Sequence, residues 1–144
     1  MTQPVFTYDA QSVALIFAAV PLAGYADGEF MRITPNSEGF QLVMGVDGQG
    51  TRSKTGNGSG RLTTPLMQSS ASNDACSAIH SLDLLAEGGA GIGVLSMIDT
   101  SGRSLLLAPE AWIVGWPEQG WDRTAGSREW VFEWADAEIF IGGN

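Results

Sequence analysis

The chain carries one cysteine, Cys76, and one histidine, His80. A lone thiol excludes an intrachain disulfide. One Cys and one His do not make a zinc site built from soft ligands. A nucleophilic triad would have to run through His80, which falls inside a predicted helix with no nucleophile motif beside it. Cys76 shares that helix and reads as a small buried hydrophobe. Basic residues are scarce as well. Seven Lys and Arg stand against 16 Asp and Glu, for a net charge of −9. A firm grip on nucleic acid needs cations set against phosphates, so that class is disfavoured. No apolar run approaches the ~20 residues of a transmembrane helix. The stretch 13–23 is apolar, but Asp9 precedes it and no Lys or Arg lies upstream, so it is not read as a secretion signal. Two ligand-binding loops are also missing. Gly56-Asn-Gly-Ser-Gly60 lacks the Lys-Ser/Thr pair that reaches phosphate and metal. Asp47 stands without the carboxylate ladder of a calcium loop. The expectation is a chain with no catalytic residues, no metal and no cofactor: not an enzyme, and not a membrane protein.

What is abundant is glycine, 19 residues in 144, beside a hydrophobic fraction of 44%. That combination predicts one strand-rich domain over 1–144 with many turns. Ser12 to Val20 reads as a first strand broken by Pro21 and Gly24. Glu29–Thr34 and Phe40–Gly45 read as a hairpin around the turn 35–39. Residues 46–60 form a Gly-rich tongue, either a loop or an extended hairpin that orders against a partner. Gly60 to Met67 is extended, with Pro65 confining it to a strand end or edge. Ser70 or Ser72 is positioned to cap a helix over about 71–87, with Asp74 in its first turn. Its predicted apolar stripe is 75, 79, 82 and 86, ending at Gly88-Gly89.

Gly91–Ile98 and Arg103–Leu107 predict a second hairpin, and Glu110–Trp121 an irregular aromatic connection. The closing strand, Arg128 to Ile141, places Trp130, Phe132 and Trp134 on one face. Its alternation changes phase after Ala135, which predicts a bulge or two halves in different surroundings. The fold class is mainly β, a sandwich or partly open barrel of antiparallel strands with one flanking helix.

Two ligand readings arise from side chains. Trp112, Trp116 and Trp121 could form a platform on which sugar rings stack, making the chain a carbohydrate-binding or adhesin-like β-domain. Such residues more often anchor cores and interfaces. Glu129 and Glu133 share a strand face, but a glycosidase pair needs a cleft, so a solvated face is the default.

The block Gly24–Ile79 holds Tyr25-Ala-Asp-Gly-Glu-Phe30, Gly39-Phe40, Gly45-Val-Asp-Gly48, a strand restart at Ser59-Gly60, and Gln68-Ser-Ser-Ala-Ser-Asn-Asp74 opening a helix. In order and spacing it resembles the tail tube proteins of contractile-tailed bacteriophages, as does the C-terminal Ile139-Phe-Ile-Gly-Gly143. The resemblance implies two packed antiparallel sheets with a flanking helix, assembled as hexameric rings stacked into a tube. Strands from the whole ring would join in one barrel around a lumen that passes double-stranded DNA. It also implies a virion location after assembly in the host bacterial cytoplasm. The implied partners are further copies of the chain, a tail sheath protein, a tape measure protein in the lumen, and baseplate and tail terminator proteins. On this resemblance the tongue becomes the contact between rings or subunits, through Asp47, Arg52, Lys54, Asn57 and Arg61. Glu29, Glu38, Glu133 and Glu138 become candidates for an acidic lumen that repels phosphate.

Overall fold

The structure, a computed structural model, describes residues 3–144. The first apolar run makes two strands, not one: β1 (Val13–Phe17) and β2 (Val20–Leu22) pair antiparallel. The tight turn between them is Ala18-Ala19, both at positive φ (51° and 68°). Hairpin turns of this kind usually carry Asn or Gly, because an L side chain costs about 1 kcal/mol there. Two alanines give no turn signal, so the sequence reads straight through into Val20.

The next four strands correct the expected pairing. β3 (Arg32–Pro35) pairs with β6 (Gly60–Met67), while β4 (Phe40–Met44) pairs with β5 (Gly50–Lys54). β3 and β4 are therefore not partners. The amide of Asn36 donates to the Ser59 carbonyl, and the amide of Thr55 donates to the Gly39 carbonyl. These bonds bridge the gap between the two pairs, so β3–β4 and β5–β6 form one long ribbon with a waist. The lower half lies in the main sheet, where Ile33 meets Leu62. The upper half stands free. Pro65 lies within β6, beyond the end of β3, and its carbonyl accepts from the Ala26 amide. The strand continues there because β3 has already left and no ladder bond is lost.

The helix α1 spans Ser72–Leu85, slightly inside the predicted range. Ala71, just before it, already has helical φ and ψ (−64° and −20°), and Ser70 Oγ accepts from the Ser72 amide at 3.2 Å, the bond expected of a capping serine. Ser70 Oγ also donates to the Ala23 carbonyl, and Ser72 Oγ accepts from the Ala23 amide. The serines thus pin the helix start to the end of β2. This close approach needs Gly24, at φ 74°, because a Cβ there would lie 2.6 Å from Ser70 Oγ.

β7 (Gly93–Asp99) and β8 (Leu105–Ile113) form the second hairpin, with β8 running on through Trp112. The closing strand is split into β9 (Ser127–Trp134) and β10 (Glu138–Phe140). Both lie beside β8. β10 pairs with its first residues and β9 with its last. The phase change in the sequence is this interruption. The main sheet runs β2-β1-β7-β8-β9-β6-β3. On a flat sheet β1 and β9 would stand three spacings apart, about 14 Å. Yet the rings of Phe17 and Phe132 are 4.9 Å apart. The sheet is therefore curled around its own core without closing into a barrel. Mainly β with one flanking helix is the observed class. Leu15, Phe17, Leu62, Leu66, Leu95, Leu106, Trp130, Phe132 and Trp134 fill the core, and Cys76 joins them from the helix.

Burial pushes the Cys76 thiol up to about 12. In the unfolded chain a thiol titrates near ~8.5. The folded state therefore keeps a proton that the unfolded state gives up, and its stability advantage is complete below about pH 8.5. That advantage falls as pH rises toward about 12. Between pH 8 and pH 10 the loss from this residue is expected to be about 2 kcal/mol. Denaturant titrations at both pH values check it. Cys76→Ala should lack this part of the alkaline loss, and equal slopes in the two proteins would count against the buried thiol.

Candidate assembly surfaces

Every residue of β4 and β5 is exposed. Alternation places Phe40, Leu42 and Met44 on one face of this hairpin, opposite Lys54, Arg52 and Gly50. The Arg52 guanidinium lies 4.3 Å from the centre of the Phe40 ring. The face is thus apolar and cationic together. At the tip, Asp47 Oδ1 accepts from the Gln49 amide and Val46 is fully exposed. Asn57 sits at the waist, its Oδ1 accepting from the Ser59 amide and hydroxyl. Of the five predicted contact residues, Asp47, Arg52 and Lys54 share the hairpin. Arg61 lies apart, on β6, with Nη2 3.8 Å from Glu133 Oε2.

The two outer faces of the curled sheet differ in chemistry. Over β3, β6 and β9 most outward residues are polar, Arg32, Thr34, Arg61, Thr63, Glu129 and Glu133, with Pro65, Met67 and Val131 among them. Over β1, β7, β8 and β10 they include Ile16, Val94, Ile98, Leu105 and Phe140, all exposed. Three of the four predicted acidic residues lie on or beside these faces. Glu133 is on the polar face, and Glu29 stands at its margin, 2.6 Å from Arg32. The hydrogen bond from Arg32 holds the Glu29 carboxyl below the usual range. Glu38 lies in the bend before β4, its carbonyl accepting from Thr55 Oγ1. Glu138 is opposite Leu107, beside the apolar face. The apolar face was missed in the sequence reading. Its signal is that β7 and β8 carry apolar residues at both parities, as strands covered on both sides do.

The helix departs from its predicted stripe. Ser72, Cys76 and His80 face the core, while Leu82, Leu84 and Leu85 are exposed. His80 is buried edge-on against Trp116, ring centres 4.8 Å apart. A core imidazole there fits no triad.

The three tryptophans do not line one groove. Trp116 and Trp121 line a groove with Pro117, Arg128 and Trp130. Trp112 lies outside it, on β8 opposite Glu133. Arg128 stacks over Trp121 at 4.9 Å and donates to the Gly120 carbonyl, tying the loop to β9. Among the described residues no cluster of three or more His, Cys, Asp or Glu could hold a metal ion. Among them, no helix is long and apolar enough to cross a membrane.

Comparison with known proteins adds to this geometry. No family model matches the chain. A chain from the virion of a native gene transfer agent particle superimposes with a TM-score of 0.62 at 14% identity, over 94% of this chain and 100% of that one. A chain of the anti-feeding prophage cap, which terminates that particle's tube, gives 0.60 at 6% identity, over 97% and 95%. At such identities these likenesses establish the fold alone. Structural protein ORF10 of Pseudomonas phage KPP10 is 30% identical over 123 residues, covering 85% of this chain and 71% of that protein. On that match the chain belongs to the same family of phage structural proteins as ORF10.

Proposed function

We propose that this chain is the tail tube subunit of a contractile-tailed phage: a non-enzymatic protein that forms hexameric rings, stacked into a conduit for double-stranded DNA. The observation that carries the reading is the β4–β5 hairpin, which buries none of its residues in its own chain. An isolated two-stranded hairpin is at best marginal in water, so one built with Phe, Leu, Val and Met belongs against another molecule. The ORF10 relationship supports a virion role, and the two structural likenesses supply the fold. The polar face of β3, β6 and β9 is the proposed lumen lining. There Arg32 and Arg61 are each paired with a glutamate, leaving no free cation for phosphate to grip. If β3, β6 and β9 of six copies lined the lumen, about 18 strands tilted ~40–45° would close at a backbone radius of roughly 19 Å. Less the side chains, the bore would then be roughly 27 Å, wide enough for a duplex about 20 Å across. Sheath protein would lie outside the tube, tape measure protein inside it during assembly in the host cytoplasm, and baseplate and tail terminator proteins at its ends.

Negative-stain electron microscopy of concentrated protein tests this. Stacked rings or tubes of one diameter are expected. The 2.9 Å bond between Thr55 and Gly39 marks where the hairpin can be removed. Replacing residues 40–54 with a two-residue turn should leave thermal unfolding nearly unchanged and abolish stacking. Normal long tubes from that variant would remove the hairpin from the mechanism. A wild-type chain that stays monomeric at every concentration would remove the tube.

A further inference from the structure

We infer that the apolar outer face of β1, β7, β8 and β10 is the seat of the β4–β5 hairpin from a second copy of the chain. The inference rests on the tube reading only in requiring that copies meet. It goes further in naming the two surfaces that do so.

The register defines the seat. Ala14, Ile98, Leu105 and Phe140 form one row across four strands, and Ile16, Ser96, Leu107 and Glu138 form the next. The rows span about 14 Å across the strands, and the hairpin's five-residue strands are about 17 Å long. The two are matched in extent. The hairpin offers Phe40, Leu42 and Met44 as its apolar contribution. In its own chain neither surface covers the other, since both remain exposed. A contact that joins different patches on two copies leaves one free hairpin and one free seat at its ends. It therefore continues from copy to copy, as a ring or a stack requires.

Charge selects the hairpin over the other exposed apolar segments. The seat is edged by Glu138, with Glu110 also exposed near it on β8. The hairpin holds Arg52 and the chain's single lysine, Lys54. The helix leucines come with Asp83 and Glu87, and the exposed Phe6 and Tyr8 come with Asp9. Either of these would bring carboxylate to carboxylate, which is unfavourable at a desolvated contact. The exposed Trp121 has Arg123 near it, but with Asp122 between them. The hairpin sets two cations, Arg52 and Lys54, on its apolar face, with Asp47 apart at the tip.

The single lysine gives a direct readout. Carbodiimide joins an amine to a carboxylate only when the two are in contact. In assembled wild-type protein the expected product joins Lys54 of one copy to Glu138 or Glu110 of another, found by mass spectrometry after mixing isotopically light and heavy chains. Coupling of Lys54 to Asp83 or Glu87 instead would overturn the inference.

Paired variants give a second readout. Leu42→Asp disables the hairpin, and Ile98→Asp disables the seat. Each should weaken association by about 100-fold, because a charge is driven into an apolar contact. Mixed together, they retain one working hairpin and one working seat. Sedimentation should then show species of twice the mass formed by either variant alone. If Ile98→Asp does not fold, Phe140→Asp, at the sheet margin, serves in its place. If wild-type chains form tubes and the seat variants form them equally well, the inference falls while the tube reading stands. If the wild type forms neither rings nor tubes, the tube reading falls, and the coupling products of whatever oligomer exists decide the inference separately.

Discussion

Phe132→Ala is expected to cost about 3–5 kcal/mol of folding stability. Phe132 is fully buried, opposite Leu62 on one side and Ile113 on the other. It also reaches across the core to Phe17, at 4.9 Å and a tilt of 56°. Removing the ring therefore opens a cavity where both halves of the curled sheet meet. Neither half can move inward without breaking its ladder, so little of the void should be recovered. A protein of this length has about 5–15 kcal/mol in total, so the variant should lie near its threshold. The melting temperature should fall by roughly 10 °C, with larger losses at the upper end. Phe17→Ala alone should be nearly as damaging. The double variant should lose less than the two singles together, by about 0.5–1.5 kcal/mol for the aromatic pair and more for the shared cavity. Calorimetry of the four proteins measures this. Strict additivity would show that the rings do not meet and that the sheet is not curled as described.

Much of the fold is legible from residues whose burial period is clean. Trp130, Phe132 and Trp134 alternate with Glu129 and Glu133, so the core face of β9 follows from the sequence. The break at 135–137 follows from the same pattern, because a bulge shifts the period. What the sequence conceals is pairing. Residues 29–45 contain two extended segments around a turn of Pro, Asn, Ser and Gly, which is the signature of a hairpin. The true partners lie across the waist formed by Asn36–Ser59 and Gly39–Thr55, where backbone bonds are joined by Asn36 Nδ2 to Ser59 Oγ and Thr55 Oγ1 to the Glu38 carbonyl, contacts 17 to 23 residues apart that local turn chemistry does not reveal. Ala18-Ala19 is hidden for the opposite reason, since the residues in that turn are ones that do not favour it.

The assembly surfaces divide in the same way. A Gly-rich segment bearing Arg52 and Lys54 stands out in an acidic chain, so the hairpin is detectable as unusual. The seat is harder to find, because Val94, Ile98 and Leu105 read as ordinary core residues until the register turns them outward. The helix shows the same limit. Leu82 and Leu85 fit a core stripe by spacing, but Ser70 and Ser72 fix the helix start to β2 and rotate Cys76 and His80 inward instead.

Gly60→Val is expected to cost about 3 kcal/mol, and Gly60→Ala about 1–3 kcal/mol. A Gly→Ala change at an ordinary strand position stabilises by about 0.4–1 kcal/mol, since it restricts the unfolded chain. The reversed sign comes from Trp134, the cross-strand partner of Gly60. A Cβ at position 60 would lie 2.8 Å from Cζ2 of that indole, 3.0 Å from Cε2 and 3.1 Å from Nε1. The ring is buried and its Nε1 has no acceptor, so packing alone fixes its place. It cannot yield without opening the core. Gly39 is the natural control, because a Cβ there meets nothing within 4 Å and its φ is not positive. Gly39→Ala should be neutral or slightly stabilising. Both glycines flank the waist of the ribbon, so the contrast also separates stability from assembly. If Gly60 matters only for packing against Trp134, Gly60→Ala should melt early yet still build tubes below its melting temperature. If it also sets the angle at which the hairpin leaves the sheet, tubes should be lost while the monomer remains folded.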